Sequence, residues 1–405
     1  MTDSAPGTDA GIVDVPWALS DEHRAWRKAM REFTLDVIAP EATERSIEGR
    51  FDPDLVRAAG KLGVFGLLVP AELGGAGADL RTLCIAIEEL ATVDSSFAVT
   101  VHVQAISAAL LARLAGQRAD LAGLIRQAAS GETFVSFGLT EPGGGSDAGN
   151  IATSARQVKG DGEADGEEWV VNGAKQFITN SGTPFSRYVT LFAKTGEGRR
   201  GRPEVSALLV PLDAPGVTVG PGYAKLGWRA SDTHPLYFDD VRVPAAALLG
   251  SQGGGYREAL QFLTWARLPI AAMGVGVARG SLEDTLRFVG ERESFGKPLG
   301  SHQGVAFGVA DIAAMAATAR VLTYDAAWKY DHGQPIKQEA AIAKMVASEL
   351  ANKAAYQATQ LQGGYGFIQE TSATRHYQDA RILTIGEGTT EIQRMLIARG
   401  LGLPV

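Results

Sequence analysis

The period of the hydrophobic pattern changes twice along the chain, and nothing else in the sequence restricts the fold as much. Up to about Thr133, apolar residues recur at spacings of three and four, as in Trp26, Met30, Phe33 and Val37. From Phe134 to about Pro244 they fall into short β-branched and aromatic runs, and after Gly250 the helical spacing returns in long segments. Blocks of helix, then strand, then helix cannot interleave into an alternating α/β sheet. They predict an α+β, mostly α chain of three consecutive modules: residues 1–133 helical, 134–245 a β-barrel-like domain, and 246–405 an antiparallel four-helix bundle.

Local signals sharpen the blocks. Ser20, Asp21 and Glu22 start a helix with acids in its first turn, and Asp52-Pro53 supplies a cap and a first-position proline for the next. Asn172-Gly173 reads as a hairpin turn between EEWVVNG and KQFITN. The polar stretches 160–168 and 196–203 read as hairpin tips. Helices are expected at about 256–290, 302–331, 336–362 and from Thr389 onward.

Composition then excludes whole classes. The 405 residues carry 38 Lys+Arg against 46 Asp+Glu, a net charge of −8, so no global basic field exists for nucleic acid. A single cysteine, Cys84, excludes an internal disulfide and fits a reducing compartment; its helical setting, LRTLCIAIEEL, makes it a buried spectator. The N-terminal residues carry acids and no basic-then-apolar run, so a signal or transit peptide is not expected, and the cytoplasm is the expected location. The uncharged stretch 95–112 is interrupted by Ser95, Thr100, His102, Gln104 and Ser107, which favours a buried core helix over a membrane span. Glycine is the outlier: 49 residues are about 12% of the chain, against a usual level of about 7%.

Several chemistries lack their residues. The six histidines are scattered without metal-ligand spacing, and neither a serine elbow nor a Gly-x-x-x-x-Gly-Lys-Ser/Thr loop occurs. Gly274, Gly276 and Gly280 imitate part of a dinucleotide fingerprint, but they lie inside a helix, where small residues let a neighbour approach. What does stand out is FGLTEPGGGSDAG at 137–149. There an apolar strand runs into a loop without side chains to block a large flat ligand or a phosphate.

That segment resembles the flavin-binding signature of the acyl-CoA dehydrogenase family. Six further stretches are similar to the family's landmarks in the family's order: NGAKQFITN at 172–180, KLGWRASDT at 225–233, FDDVRVP at 238–244, RESFGKP at 292–298 with His302-Gln303, QLQGGYG at 360–366, and EGTTEIQR at 387–394. The resemblance implies one FAD per subunit between β-domain and bundle, in a homotetramer built as a dimer of dimers. It also implies an acyl-CoA or acyl-carrier-protein substrate and an electron-transfer flavoprotein as acceptor.

Roles follow from the same resemblance. Glu387 is the expected catalytic base, removing the α-proton of the acyl thioester while the β-hydrogen leaves as hydride to the flavin. An ordinary glutamate, pKa about 4.3, is far too weak for a carbon acid, so the site must raise its basicity and stabilise the enolate through hydrogen bonds to the thioester oxygen. Gly386 and Gly388 leave room for that approach. The flavin is expected to contact Phe137, Leu139, Thr140, Gly145 and Ser146 on the first motif, and Phe177, Ile178 and Thr179 on the second. Thr389 and Glu391 follow the base. Arg292, Phe295, Gln303, Gln360, Gln362, Gly363 and Gly364 match positions that reach a neighbouring subunit's FAD, where arginine offers a fork of donors. Ser146, Arg267 and Gly388 are the expected substrate contacts. Apart from the resemblance, His102 and Gln104 are expected to line the acyl pocket from their place on the helix preceding the flavin strand.

The chain departs from the family pattern in places. Ala266, before Arg267, leaves the alternative base position of some branches without a carboxylate, Thr264 stands where many members have aspartate, and the stretch 114–120 lacks the usual acidic pattern. The Thr264 change leaves open whether CoA or a carrier protein bears the acyl group. An acyl oxidase, a flavin monooxygenase and a non-catalytic flavin scaffold remain the alternatives on the same fold.

Overall fold

The computed structural model describes residues 15–159, 167–198 and 202–405. The N-terminal residues 1–14, most of the expected tip at 160–168, and Arg199, Arg200 and Gly201 lie outside the described residues.

Six α-helices come first among the described residues: α1 Asp21–Phe33, α2 Ala42–Glu48, α3 Pro53–Lys61, α4 Leu80–Ala91, α5 Ser95–Ala115 and α6 Ala122–Ser130. The caps are those the sequence predicts. Ser20 and His23 form a reciprocal capping box on α1, and Asp52 accepts from the Asp54 N–H ahead of α3. Helix α5 is buried nearly all round, which explains its apolar length, and Cys84 on α4 is fully buried.

Eight strands follow among the described residues: β1 Phe134–Gly138, β2 Ser154–Lys159, β3 Glu167–Thr179, β4 Ser186–Glu197, β5 Pro203–Pro211, β6 Val217–Val219, β7 Thr233–Pro244 and β8 Leu248–Leu249. They run β6-β7-β3-β2-β4-β5-β8, with β1 added in parallel to β4. The expected hairpin at Asn172-Gly173 is not there: β3 passes straight through it. Gly173 is needed for space, since a Cβ on it would lie 2.6 Å from the Thr153 hydroxyl, and the pairing with β7 shifts register at this point. Asn172 meanwhile donates to the Asp240 carboxylate and accepts from the Asp240 N–H on β7. Asn-Gly here makes a bulge rather than a turn.

The chain then returns to helix in α7 Gly255–Glu291, α8 Gln303–Asp331, α9 Lys337–Gln362, α10 Ser372–Ala380 and α11 Thr390–Gly400, with a two-stranded ribbon β9 Glu293–Ser294 and β10 Lys297–Pro298 after α7. The segment expected from Thr389 to the end is helical for only 11 residues, and α10 was not expected at all. A Cβ on Gly276 would lie 2.3 Å from the Glu88 carbonyl, and one on Gly280 2.2 Å from that of Thr92, so the small residues of α7 admit α4. The same contact buries Arg279 against Glu88 and Glu89, each at 2.6 Å, and Tyr324 donates to Glu88.

Helices α5, α7 and α8 are long and apolar enough to cross a membrane. The most apolar stretches of α5 and α7 are 89% and 78% buried inside the fold, that of α8 only 28%. Helix α8 therefore carries an apolar surface that the rest of the chain leaves uncovered.

Asp379 on α10 ties the bundle to the β-domain, accepting from the Trp228 N–H at 2.6 Å. Its other oxygen has no partner, and burial pushes its carboxyl up to about 7. The folded chain thus keeps a proton there that the unfolded chain releases near pH 4, so this group's contribution to stability falls as pH rises from about 4 to about 7. Asp379→Asn is expected to raise Tm by a few degrees at pH 8 and to give no such gain at pH 4. An equal change at both values would contradict a buried neutral acid.

Candidate active site

Two loops, the end of β3 and one cleft gather most of the residues singled out in the sequence. The first loop leaves β1, whose Phe137 pairs with Thr190 of β4. Phe137 packs its ring against Phe262 of α7 at 5.1 Å, which leaves its backbone as the part available to a ligand. Leu139 is buried, and Thr140 accepts from the Gln176 N–H at 2.9 Å, drawing β3 alongside. Glu141 then turns inward. Its carboxylate takes the N–H groups of Ala152 and Thr153 at 2.7 and 2.9 Å and the Lys175 ammonium at 2.7 Å, while Lys175 also donates to the Leu139 carbonyl.

This ion pair fixes both ends of the glycine loop. Burial pushes Lys175 down to about 8, although Glu141 opposes the shift. Burial alone would push Glu141 up, but the bonds from Lys175 and Thr153 hold it below the ordinary carboxylate range. Beyond Glu141, residues 142–147 are exposed, and a Cβ on Gly143 or Gly144 would meet nothing within 4 Å. Gly145 lies over the Thr140 side chain, and Ser146 is exposed beside it.

On β3, Ile178 is buried and Thr179 half-buried, whereas Phe177 has a positive φ of 60° and a ring 59% exposed beside Tyr223. A bulky residue in the left-handed region is costly, and six non-glycine residues adopt it among those described: Phe177, Asn180, Trp228, Asp240, Phe295 and Glu387. Three of the six are site residues expected from the sequence. Strain is concentrated where a ligand is expected.

The second loop carries Glu387, with φ 52°, followed by Gly388 at 93°. Lys344 of α9 donates to the Gly388 carbonyl at 2.7 Å and Gln393 of α11 at 2.9 Å, while Thr389 caps α11 through the Ile392 N–H. Glu391 is exposed in the first turn of α11. The Glu387 carboxylate meets His102 of α5, Oε1 to Nε2, at 2.6 Å. Arg267 of α7 is buried and faces the same charge; burial pushes its guanidinium down while Glu387 opposes that. Burial likewise takes Lys344 down to about 8. Buried polar atoms without a partner collect here: Glu387 Oε2, His102 Nδ1, Arg267 Nε, Thr390 Oγ1 and Gln393 Oε1. Native interiors hold few such atoms, so several on adjoining elements mark a place for a polar ligand.

The cleft lies at the far end of α7 and α9. It encloses about 490 Å³ and brings together Arg292, Gln360, Gln362, Gly363 and Gly364, with no residue of the two loops in its lining. Gln362 buries an amide Nε2 with no partner. Phe295 and Gln303 do not line it; both are exposed, Phe295 at 95% with φ 52°.

One sequence expectation changes here. Gln104 does not line a pocket: its amide bridges the Ala128 and Thr133 carbonyls and the Val135 N–H, joining α5, α6 and β1 inside the core. Thr264 is half-buried and bonds the Leu260 carbonyl of its own helix. Sequence reasoning missed Lys175, Glu141, Tyr223 and Lys344 as supports. Lys344 had a signal, being a lone cation among Ala340, Ala341, Ala343 and Ala347.

The residues fit a flavin nucleotide. The exposed Phe177 ring offers a face to a flat heterocycle, the glycine loop leaves room for a pyrophosphate, and the orphaned amide of Gln362 faces a cleft with an arginine.

Comparisons with known proteins point the same way. Residues 20–132, 136–241 and 253–402 match the family models for the acyl-CoA dehydrogenase N-terminal, middle and C-terminal domains. The probable acyl-CoA dehydrogenase YngJ of Bacillus subtilis (strain 168) is 38% identical over 383 residues, 95% of this chain and 98% of that protein. Butyryl-CoA dehydrogenase from Megasphaera elsdenii superposes with TM-score 0.88 at 34% identity, covering 96% of this chain and 100% of the other. A chain in the structure of the electron transferring flavoprotein of Acidaminococcus fermentans, solved towards a mechanism of flavin-based electron bifurcation, gives 0.89 at 32% identity, covering 96% and 99%.

Proposed function

Because the chain belongs to the acyl-CoA dehydrogenase family, FAD-dependent oxidoreductases acting on acyl-CoA, we propose that it converts a saturated acyl-CoA to the trans-2-enoyl-CoA with Glu387 as base. The observation that carries this reading is the Glu387 loop, which holds one carboxylate oxygen against His102 and leaves the other buried and unpartnered beside Arg267.

Each residue then has a task. Oε2 of Glu387 takes the α-proton. No described hydrogen bond within the protein uses the Glu387 N–H, which stands ready to donate to the thioester oxygen as enolate charge develops. Lys344 and Gln393 fix the Gly388 carbonyl, so the loop does not drift as charge moves. Bound FAD supplies the acceptor for the β-hydride. Thr140, Phe177 and Thr179 would hold its ring and the loop at Gly143–Gly145 and Ser146 its phosphates. Arg292, Gln360, Gln362, Gly363 and Gly364 would close over the FAD of a neighbouring subunit. The exposed apolar surface of α8 supports a homotetramer, and buried, reduced Cys84 suits work in the cytoplasm within fatty acid metabolism. The likeness to a butyryl-CoA dehydrogenase makes a short chain the first substrate to try, and the electron transferring flavoprotein structure supports such a protein as acceptor.

The test is steady-state turnover of the FAD-loaded protein with straight, branched, dicarboxylic and aromatic acyl-CoAs and with carrier-protein thioesters. Turnover is expected to be fast with an electron-transfer flavoprotein and slow with oxygen alone. Rapid oxygen-driven turnover with peroxide release would replace the dehydrogenase reading with an oxidase.

A further inference from the structure

We infer that His102 is a positioning residue for the base: its Nε2–H holds Glu387 Oε1 and so presents Oε2 to the substrate. This rests on Glu387 being the base, and the contact is the 2.6 Å bond between two residues 285 positions apart.

The surroundings of Glu387 leave this task to His102. The loop gives the side chain little support of its own, because Gly386 and Gly388 flank it and Glu387 itself sits at a positive φ. Its backbone is fixed by Lys344 and Gln393 through the Gly388 carbonyl, but those bonds do not reach the carboxylate. The titratable groups facing it come from three other elements: His102 on α5, Arg267 on α7 and Lys344 on α9. Among the described residues only His102 hydrogen-bonds the carboxylate.

Packing does not account for the histidine. His102 is fully buried on a helix whose neighbouring positions are Val99, Val101, Ala105 and Ile106, and its Nδ1 has no partner. Burying an imidazole with one ring nitrogen unsatisfied costs free energy that an apolar side chain of similar size would avoid. A base acts as the carboxylate, which can only accept, so in the role proposed for Glu387 the proton of this bond is on Nε2. One oxygen of Glu387 is then committed to His102, and the other is the one free to take a proton.

Substitutions separate this role from a packing role. His102→Gln places an amide N–H near the position of Nε2, His102→Asn keeps a polar group but falls short of the carboxylate, and His102→Leu fills the space without a donor. In anaerobic stopped-flow with a saturating acyl-CoA, the Asn and Leu proteins are expected to reduce their flavin on the order of 10- to 100-fold more slowly than wild type, with acyl-CoA Kd changed by less than about twofold. His102→Gln is expected to stay within about threefold of wild type. In crystals of the Leu or Asn protein the Glu387 carboxylate leaves its position beside residue 102. A Gln protein as slow as Asn, an Asn protein as fast as wild type, or a carboxylate that stays in place would each overturn the inference. If Leu does not fold, the Gln and Asn pair still decides. Glu387→Gln in the same assay separates the two readings: an active Glu387→Gln protein removes the base assignment itself, whereas an inactive one beside an unaffected His102→Asn protein removes only the role of His102.

Discussion

Glu387→Gln is expected to give a yellow, folded protein that binds acyl-CoA yet reduces its flavin at least about 10³-fold more slowly than wild type. Glutamine keeps the shape of the side chain, and its amide oxygen can still accept from His102, so the bond between α5 and the loop survives. Thr140, Phe177 and Thr179, the residues proposed to hold the flavin ring, are on other elements and are untouched. What disappears is a group that can hold the α-proton. The loss should therefore fall on the reduction step and leave the acyl-CoA Kd nearly unchanged. Stopped-flow reduction and equilibrium binding measure the two separately. Wild-type reduction by Glu387→Gln would assign the base elsewhere, and Ala266 leaves the other familiar position empty.

Lys175→Met should have the second large effect, and it acts through the scaffold. Lys175 is fully buried and bonds both Glu141 and the Leu139 carbonyl, so its loss leaves a buried carboxylate with only two backbone N–H partners. Breaking one side of a buried pair typically costs about 3–5 kcal/mol. The segment released is the one carrying Thr140, Gly145 and Ser146, so the protein should purify with little FAD and a lowered Tm. Lys175→Met combined with Glu141→Gln removes the stranded charge and should recover part of both. Flavin-to-protein ratio and thermal unfolding read the outcome. Full FAD content and an unchanged Tm in the single variant would show that the pair does not hold the loop.

The order of the three modules was legible because hydrophobic period is a local property. The misreadings are places where partners distant in sequence decide. Asn172-Gly173 has turn chemistry, but Thr153 and Asp240, from elsewhere in the sheet, turn it into a bulge. Strand β2, SARQVK, is polar and mostly exposed, so it carried no apolar signal. Helix α10 buries Arg375, His376 and Asp379, residues that read as surface until Val93, Thr43 and Trp228 are placed beside them. At the site, Glu387 and the glycine loop stood out through contiguous motifs. Their supports, Lys175 and Glu141, His102, and Lys344, act across 34, 285 and 44 positions of sequence, and pairing at such distances leaves no local pattern to read.

The most direct test of the central claim is an anaerobic titration of the FAD-loaded wild-type protein with butyryl-CoA, following flavin absorbance and analysing the thioester afterwards. The account predicts bleaching of the flavin with about one trans-2-enoyl-CoA formed per FAD reduced. A flavin that stays oxidised with butyryl-CoA and with every other acyl thioester tried, or one that bleaches without an enoyl product, would contradict it.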